Sequence, residues 1–199
     1  PARQGDAIVT VVSGLPRSGT SMLMQMLTAG GMPVLSDGVR KADADNPRGY
    51  FELEAAKRIR SDAGFVREAE GHAVKIVAPL LPALPSIPGW RYRVIFLERD
   101  LSEVMTSQAI MLERSGPEAA ETDRDDAKLR GLFGRQLVGV RAELARRQDI
   151  DTLFVRYPDA VSDPGSTSRA LATFLDVDLD TLAMVAAVDA SLFRQRSRD

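Results

Sequence analysis

The sequence predicts an α/β fold in which a central, mainly parallel sheet is flanked by helices, a three-layer arrangement in one domain over residues 1–199. Short apolar runs alternate with segments of helical period, as a parallel sheet with crossover helices requires. The first run, Ile8 to Val12, is β-branched and apolar, the pattern of a strand covered on both faces. A glycine-bounded turn, Gly14 to Gly19, then leads into an apolar helix, Met22 to Leu27, in which only Gln25 is polar. Strand, glycine loop and buried helix in that order make this a P-loop fold.

Backbone N–H groups at such a helix start point into one concavity, where the helix dipole adds partial positive charge, so the turn suits a phosphate or sulfate group. A Walker A loop, GxxxxGK[ST], places lysine after its second glycine. Gly14 and Gly19 have that spacing, but Thr20 holds the lysine position and the nearest fixed cation is Arg17, inside the loop. The loop therefore fits a phosphate-like group without the usual ATP or GTP geometry. A tight turn with no ligand is the competing reading.

Gly30 and Gly31 cap the first helix, and Met32 to Leu35 is a candidate second strand. Ser36 to Arg48 is polar and reads as a long surface loop, and at its end Asn46, Arg48, Tyr50 and Glu52 cluster in NPRGYFE. A helix is expected from about Glu54 to Val66. Ala73 to Val77, bounded by Gly71 and Pro79, is the next buried strand, interrupted by Lys75, and prolines at 79, 82, 85 and 88 stiffen the connector that follows. Tyr92 to Leu97 is a further strand, and Asp100 with Glu103 gives a D-x-x-E start signal for a helix striped by Leu101, Val104, Met105, Ala109 and Leu112.

Ser115 to Asp126 is polar and acidic, a candidate mobile loop that could act as a lid. Leu129, Leu132, Phe133, Leu137, Val140 and Leu144 recur at helical spacing and predict a long amphipathic helix against the sheet. Thr152 to Arg156 is the last strand candidate. Leu171, Phe174 and Leu175, then Leu182, Met184, Val185 and Val188, mark two short C-terminal helices before a basic tail with Arg194, Arg196 and Arg198.

Composition is that of an ordinary globular protein, 44% hydrophobic and 27% charged. A net charge of −2 gives no electrostatic case for nucleic acid or an anionic membrane as partner, so any anion site must be local. The absence of cysteine removes disulfides, thiol nucleophiles and cysteine metal sites, and His72 is the only histidine, which leaves no histidine-rich metal site. With no apolar run of about 18 residues and no signal-peptide pattern, the expectation is a soluble cytoplasmic protein. Oligomeric state is open.

PRSGTS, residues 16–21, resembles the 5′-phosphosulfate loop of sulfotransferases, which use 3′-phosphoadenosine 5′-phosphosulfate (PAPS) as sulfuryl donor; that family usually carries lysine where this chain has Arg17. Three further signals follow in order. NPRGYFE is similar to the NPxGYFE of bacterial sulfotransferase-like proteins. Arg99 and Ser107 stand eight positions apart, like the family's 3′-phosphate pair; on a fully helical segment their Cα atoms would be about 12 Å apart, so only the long arginine side chain brings both onto one phosphate. YPDAVSDP resembles the family's YEDxxxxP, whose tyrosine lies by the adenine, a role this carries to Tyr157. In the family's KTH-type motif Lys75 matches the lysine, but Val77 falls at the catalytic histidine, and His72 does not replace it by register. The family's GxxGxxK motif is not visible, and Arg194 or Arg196 is a candidate for part of its role.

The resemblance implies a PAPS-dependent sulfotransferase in which N–H groups from Ser18, Gly19, Thr20 and Ser21, with the Arg17 cation, hold the 5′-phosphosulfate and stabilise charge on the departing phosphate without a metal. A hydroxyl or amine of a small-molecule or glycan acceptor then attacks sulfur in line while a base removes its proton. Some branches use a glutamate, which makes Glu52 the candidate base, with partial burial expected to raise its basicity and Glu54, Glu98 and Asp100 as competitors. Two alternatives stay open. VIFL followed by Glu98 resembles a Walker B strand, which points to a kinase-like phosphotransferase. A protein that kept the donor site and lost the base would be a non-catalytic nucleotide-binding protein.

Overall fold

The computed structural model describes residues 6–42, 46, 49–115 and 126–189. Four strands, β1 (Ala7–Gly14), β2 (Ala73–Lys75), β3 (Trp90–Glu98) and β4 (Ile150–Arg156), form an all-parallel sheet in the order β2-β1-β3-β4. β1 pairs along its whole length with β3, from Ala7 opposite Trp90 to Gly14 opposite Leu97. From β1 the chain moves outward to β2 on one side and then crosses to β3 on the other. The order therefore reverses at the carboxyl end of β1, where open α/β sheets bind ligands.

Side chains alternate across the strands into two separate cores. Val9 and Val11 of β1, with Tyr92, Val94 and Phe96 of β3, pack under α2 (Glu54–Lys57), α3 (Phe65–Glu68), a 3-10 turn (Ala78–Ala83), α4 (Leu101–Ser115) and α5 (Asp126–Arg146). Val12, Ile95 and Leu97 face the opposite way, onto α1 (Thr20–Ala29), α6 (Tyr157–Ser162), α7 (Pro164–Leu175) and α8 (Thr181–Ala186). Helices on both faces explain why the strands read as continuous apolar runs. This is the expected three-layer α/β arrangement.

Several elements depart from expectation for local reasons. Met32 to Leu35 is no strand: it makes a single bridge, Val34 to Ala73, because Pro33 has no N–H to extend the ladder. The helix expected from Glu54 to Val66 is two short ones. Between them the Asp62 side chain accepts the Gly64 N–H at 2.8 Å and the Ser61 hydroxyl bonds Arg58 O at 3.0 Å, contacts that compete with helical bonding. β2 ends at Lys75, and Ile76 N–H continues to Val12 O at 3.0 Å before the proline connector closes into the 3-10 turn. Asp100 caps α4 by accepting Ser102 N–H at 2.7 Å, but Glu103 does not complete a capping box; it turns to Arg99 instead. YPDAVSDP contains a helical turn, α6, with Pro158 near its start, where a missing N–H costs nothing. The candidate lid falls mostly on residues outside those described, as do Arg48, Arg194, Arg196 and Arg198. Among the described residues no helix is long and apolar enough to cross a membrane.

Candidate active site

The loop between β1 and α1 is shaped by two close approaches. A Cβ on Gly14 would lie 2.7 Å from Leu97 O of the neighbouring strand, and one on Gly19 would lie 2.4 Å from the Tyr157 ring. Gly19 also holds φ 99°, so both glycines of the spacing are needed sterically. Arg17 is left-handed at φ 66°, an uncommon conformation for a residue with a side chain, of the kind that clusters at ligand sites. Thr20 and Ser21 open α1, whose first turn carries no acidic residue to offset the positive helix end. Ser18 differs from its neighbours: its N–H is used by Leu15 O at 3.1 Å, and its hydroxyl is buried beneath the loop, away from the cavity. The anion-facing part of the loop is thus Arg17, Gly19, Thr20 and Ser21.

Arg17, Arg99, Ser107 and Tyr157 are gathered along one wall. Arg99 donates to Arg17 O at 3.1 Å and to Glu103 at 2.9 Å, and its guanidinium lies 4.5 Å from the centre of the Tyr157 ring. Burial raises the Tyr157 hydroxyl above its ordinary pKa, opposed by Arg99. Ser107 is met by Arg17 rather than Arg99, through an Nε to Oγ contact of 3.1 Å. The two residues expected to share one phosphate are therefore linked through Arg17: Arg99 braces its backbone and Ser107 holds its side chain.

The opposite wall is a charge cluster. Phe51, left-handed at φ 52°, turns the chain between Tyr50 and Glu52. Glu52 meets Arg40 and Lys57 at 2.8 Å each and Lys75 at 3.9 Å, and Arg40 stacks 3.4 Å from the Tyr50 ring centre. Lys75, almost wholly buried, donates to Tyr50 O and lies 3.4 Å from Ser21 Oγ, which ties this cluster to the phosphate loop. Burial pushes the Glu52 carboxyl up, but the hydrogen bond from Lys57 and the charges of Lys75 and Arg40 outweigh it, and the net direction is down. The expectation that burial makes Glu52 more basic is thus not met. Burial acts on Lys75 in the opposite sense: against the pull of Glu52 and helped by Arg40 and Lys57, it brings the ammonium down from 10.5 to about 8.

Both walls line one cavity of about 500 Å³ at the carboxyl end of the sheet, closed by an apolar side that includes Leu53, Val77, Leu80 and Ile110. Val77 lines it at the place of the expected histidine, whereas His72 precedes β2 at its far end, with Nδ1 2.7 Å from Glu70 O. Glu98 is not part of the lining; it pairs with Arg141. Glu54 pairs with Lys57. Among the described residues no three His, Cys, Asp or Glu side chains gather into a metal site. Sequence reasoning missed Arg40 and Lys57, which lie 12 residues before Glu52 and in the following helix and carry no motif of their own.

No family model and no curated protein sequence matches the chain. Among solved structures it is similar to the sulfotransferase domain of the Synechococcus PCC 7002 olefin synthase, at TM-score 0.54 and 16% identity over 98% of this chain and 82% of that one. It is similar to sulfotransferase STF9 from Mycobacterium avium, at TM-score 0.55 and 14% identity over 98% of this chain and 70% of that one. Mouse sulfotransferase SULT7A1, solved in complex with PAP, superposes at TM-score 0.52 and 13% identity, over 94% of this chain and 64% of its own. These likenesses meet the resemblance seen in the motifs at the level of architecture: the chain has the sulfotransferase fold.

Proposed function

We propose that the protein transfers a sulfuryl group from PAPS to a hydroxyl or amine of a small-molecule or glycan acceptor, in the cytoplasm. One observation carries this reading: a phosphate loop without the Walker lysine, its cation supplied by a left-handed Arg17, shares one cavity with a buried lysine 3.4 Å from Ser21. The residues present suit a phosphosulfate donor. Two glycines let the loop turn tightly against β3 and Tyr157, the helix start is positive, and Arg17 and Arg99 supply cations around it.

In this reading the N–H groups of Gly19, Thr20 and Ser21 bind the 5′-phosphosulfate. The Arg17 guanidinium stabilises the charge that grows on the leaving phosphate as the sulfur–oxygen bond breaks, which is electrostatic catalysis by groups already in place. Arg99 and Ser107 hold Arg17 from both sides and offer donors toward the 3′-phosphate. Tyr157, stacked on Arg99, lies beside the adenine. The apolar side at Leu53, Val77 and Leu80 receives the body of the acceptor and keeps water from the sulfur. Val77 also favours a second reading, a donor-site binder without chemistry. Incubation with PAPS carrying a labelled sulfuryl group, with pooled alcohols, phenols, amines and sugars, separates them: label moves to an acceptor and PAP accumulates in the first case, and neither occurs in the second. Phosphoryl transfer from magnesium ATP would point to the kinase-like alternative instead.

A further inference from the structure

The proposed transfer still needs a base. The acceptor's proton must leave as its oxygen attacks sulfur, yet the cavity wall at Val77 is aliphatic and Glu52 is held by three cations. A carboxylate so paired is a weak proton acceptor, and its oxygens are occupied by Arg40 and Lys57 at 2.8 Å. Among the described residues the cavity also holds Tyr157, stacked on Arg99, the Asp189 carboxylate, and Lys75, whose nitrogen lies 3.4 Å from Ser21 Oγ at the start of α1.

Resting on the sulfuryl-transfer reading above, we infer that Lys75 in its neutral form is the catalytic base and that Glu52 is a positioning residue acting through it. Lys75 leaves the end of β2 with its stem buried, so the nitrogen is fixed by the sheet rather than by a mobile loop. The Tyr50 carbonyl accepts one of its hydrogens; the Ser21 hydroxyl at 3.4 Å and Glu52 at 3.9 Å are looser neighbours, so a neutral amine keeps its one firm bond and has a lone pair to spare. The groups facing it are Glu52, which favours the charged form, and Arg40 and Lys57, which with burial oppose it. The balance, near pH 8, gives a population of free amine at neutral pH that an exposed lysine lacks. In the step itself the acceptor oxygen forms its bond to sulfur and the sulfur–oxygen bond to the 5′-phosphate breaks. That bond's electron pair leaves on the phosphate of PAP, next to Arg17, and the hydroxyl proton passes to Lys75 Nζ.

The test uses the full chain, with PAPS and three acceptors: 1-octanol, 4-nitrophenol and water. Wild-type turnover with 1-octanol should rise with pH and level off above about pH 8. Lys75→Arg keeps the positive charge but cannot act as a base, and Lys75→Met keeps neither; both should lose about 100-fold or more with 1-octanol. Both should lose far less with 4-nitrophenol at pH 8, because that acceptor is already ionised, and both should bind PAP within about threefold of wild type. Glu52→Gln removes the charge that holds the proton on Lys75, so its pH limb moves to lower pH and its rate at pH 7 rises. Lys75→Arg at wild-type rate with 1-octanol overturns the inference, as does an equal loss with both organic acceptors. A 100-fold loss in Glu52→Gln across all pH values does so too, and returns the role to Glu52. Each of these leaves the transfer reading standing if wild type binds PAP and transfers label; a wild type that does neither removes both.

Discussion

Arg99→Ala separates the architecture of the site from its ligand chemistry. The Arg99 and Glu103 side chains are 7% and 9% exposed and 2.9 Å apart, so deleting the guanidinium removes a close partner of a buried carboxylate. Breaking such a pair costs about 3 to 5 kcal/mol, and the lost bond to Arg17 O adds about 1. Against a domain stability of about 5 to 15 kcal/mol this is a large fraction. At about 2 to 4 °C per kcal/mol for a chain of this size, thermal unfolding should fall by roughly 10 to 20 °C. The double variant Arg99→Ala, Glu103→Ala, which takes out both charges, should regain part of that loss. PAP binding, measured below both transitions, should weaken in Arg99→Ala by about 1.5 to 3 kcal/mol if a charge-assisted contact is lost. An unfolding temperature unchanged in Arg99→Ala would refute the buried pair, and unchanged affinity for PAP would refute the role of this wall in holding the donor.

Three further outcomes follow from the geometry. Arg17→Ala should lower kcat clearly with a smaller change in PAPS affinity, since in the proposed transfer its charge acts on the leaving group; an effect confined to KM, seen in steady-state kinetics, would make it a binding residue only. Gly19→Ala should destabilise by about 2 kcal/mol or more in urea titrations, because it combines φ 99° with a Cβ placed 2.4 Å from the Tyr157 ring, and Tyr157→Ala in the same chain should relieve part of the cost. No relief would contradict that contact. Lys75→Met should stabilise the fold at pH 7, where the buried ammonium is a burden; the gap between 10.5 and about 8 caps the gain at about 3 kcal/mol. The unfolded chain holds that proton up to 10.5 and the folded one only up to about 8, so wild-type stability should gain on the variant between those values, and a constant difference there would count against the shift.

What could be read in the sequence was what short-range physics determines. Ile8 to Val12 and Tyr92 to Leu97 are apolar because helices cover both faces of the sheet, and the spacing of Gly14 and Gly19 reflects two steric contacts. The bounds of the helix after Glu54 could not be read, because side-chain to backbone bonds at Ser61 and Asp62 break it. The charge cluster was illegible for another reason: Arg40, Glu52, Lys57 and Lys75 come from a long loop, the turn at Phe51, a short helix and a strand end, and nothing local brings them together. Likewise, the sulfotransferase resemblance paired Arg99 with Ser107, whereas the fold puts Arg17 between them.

In the proposed function this loop holds a phosphosulfate donor with a 3′-phosphate rather than a magnesium nucleotide. Isothermal titration of the full chain with PAP, ADP and ATP, each with and without magnesium, tests it directly. PAP should bind most tightly, ADP, which lacks the 3′-phosphate, should bind about tenfold or more weakly, equivalent to about 1.4 kcal/mol or more, and magnesium should add nothing to PAP. Magnesium-dependent ATP binding tighter than that of PAP would contradict it.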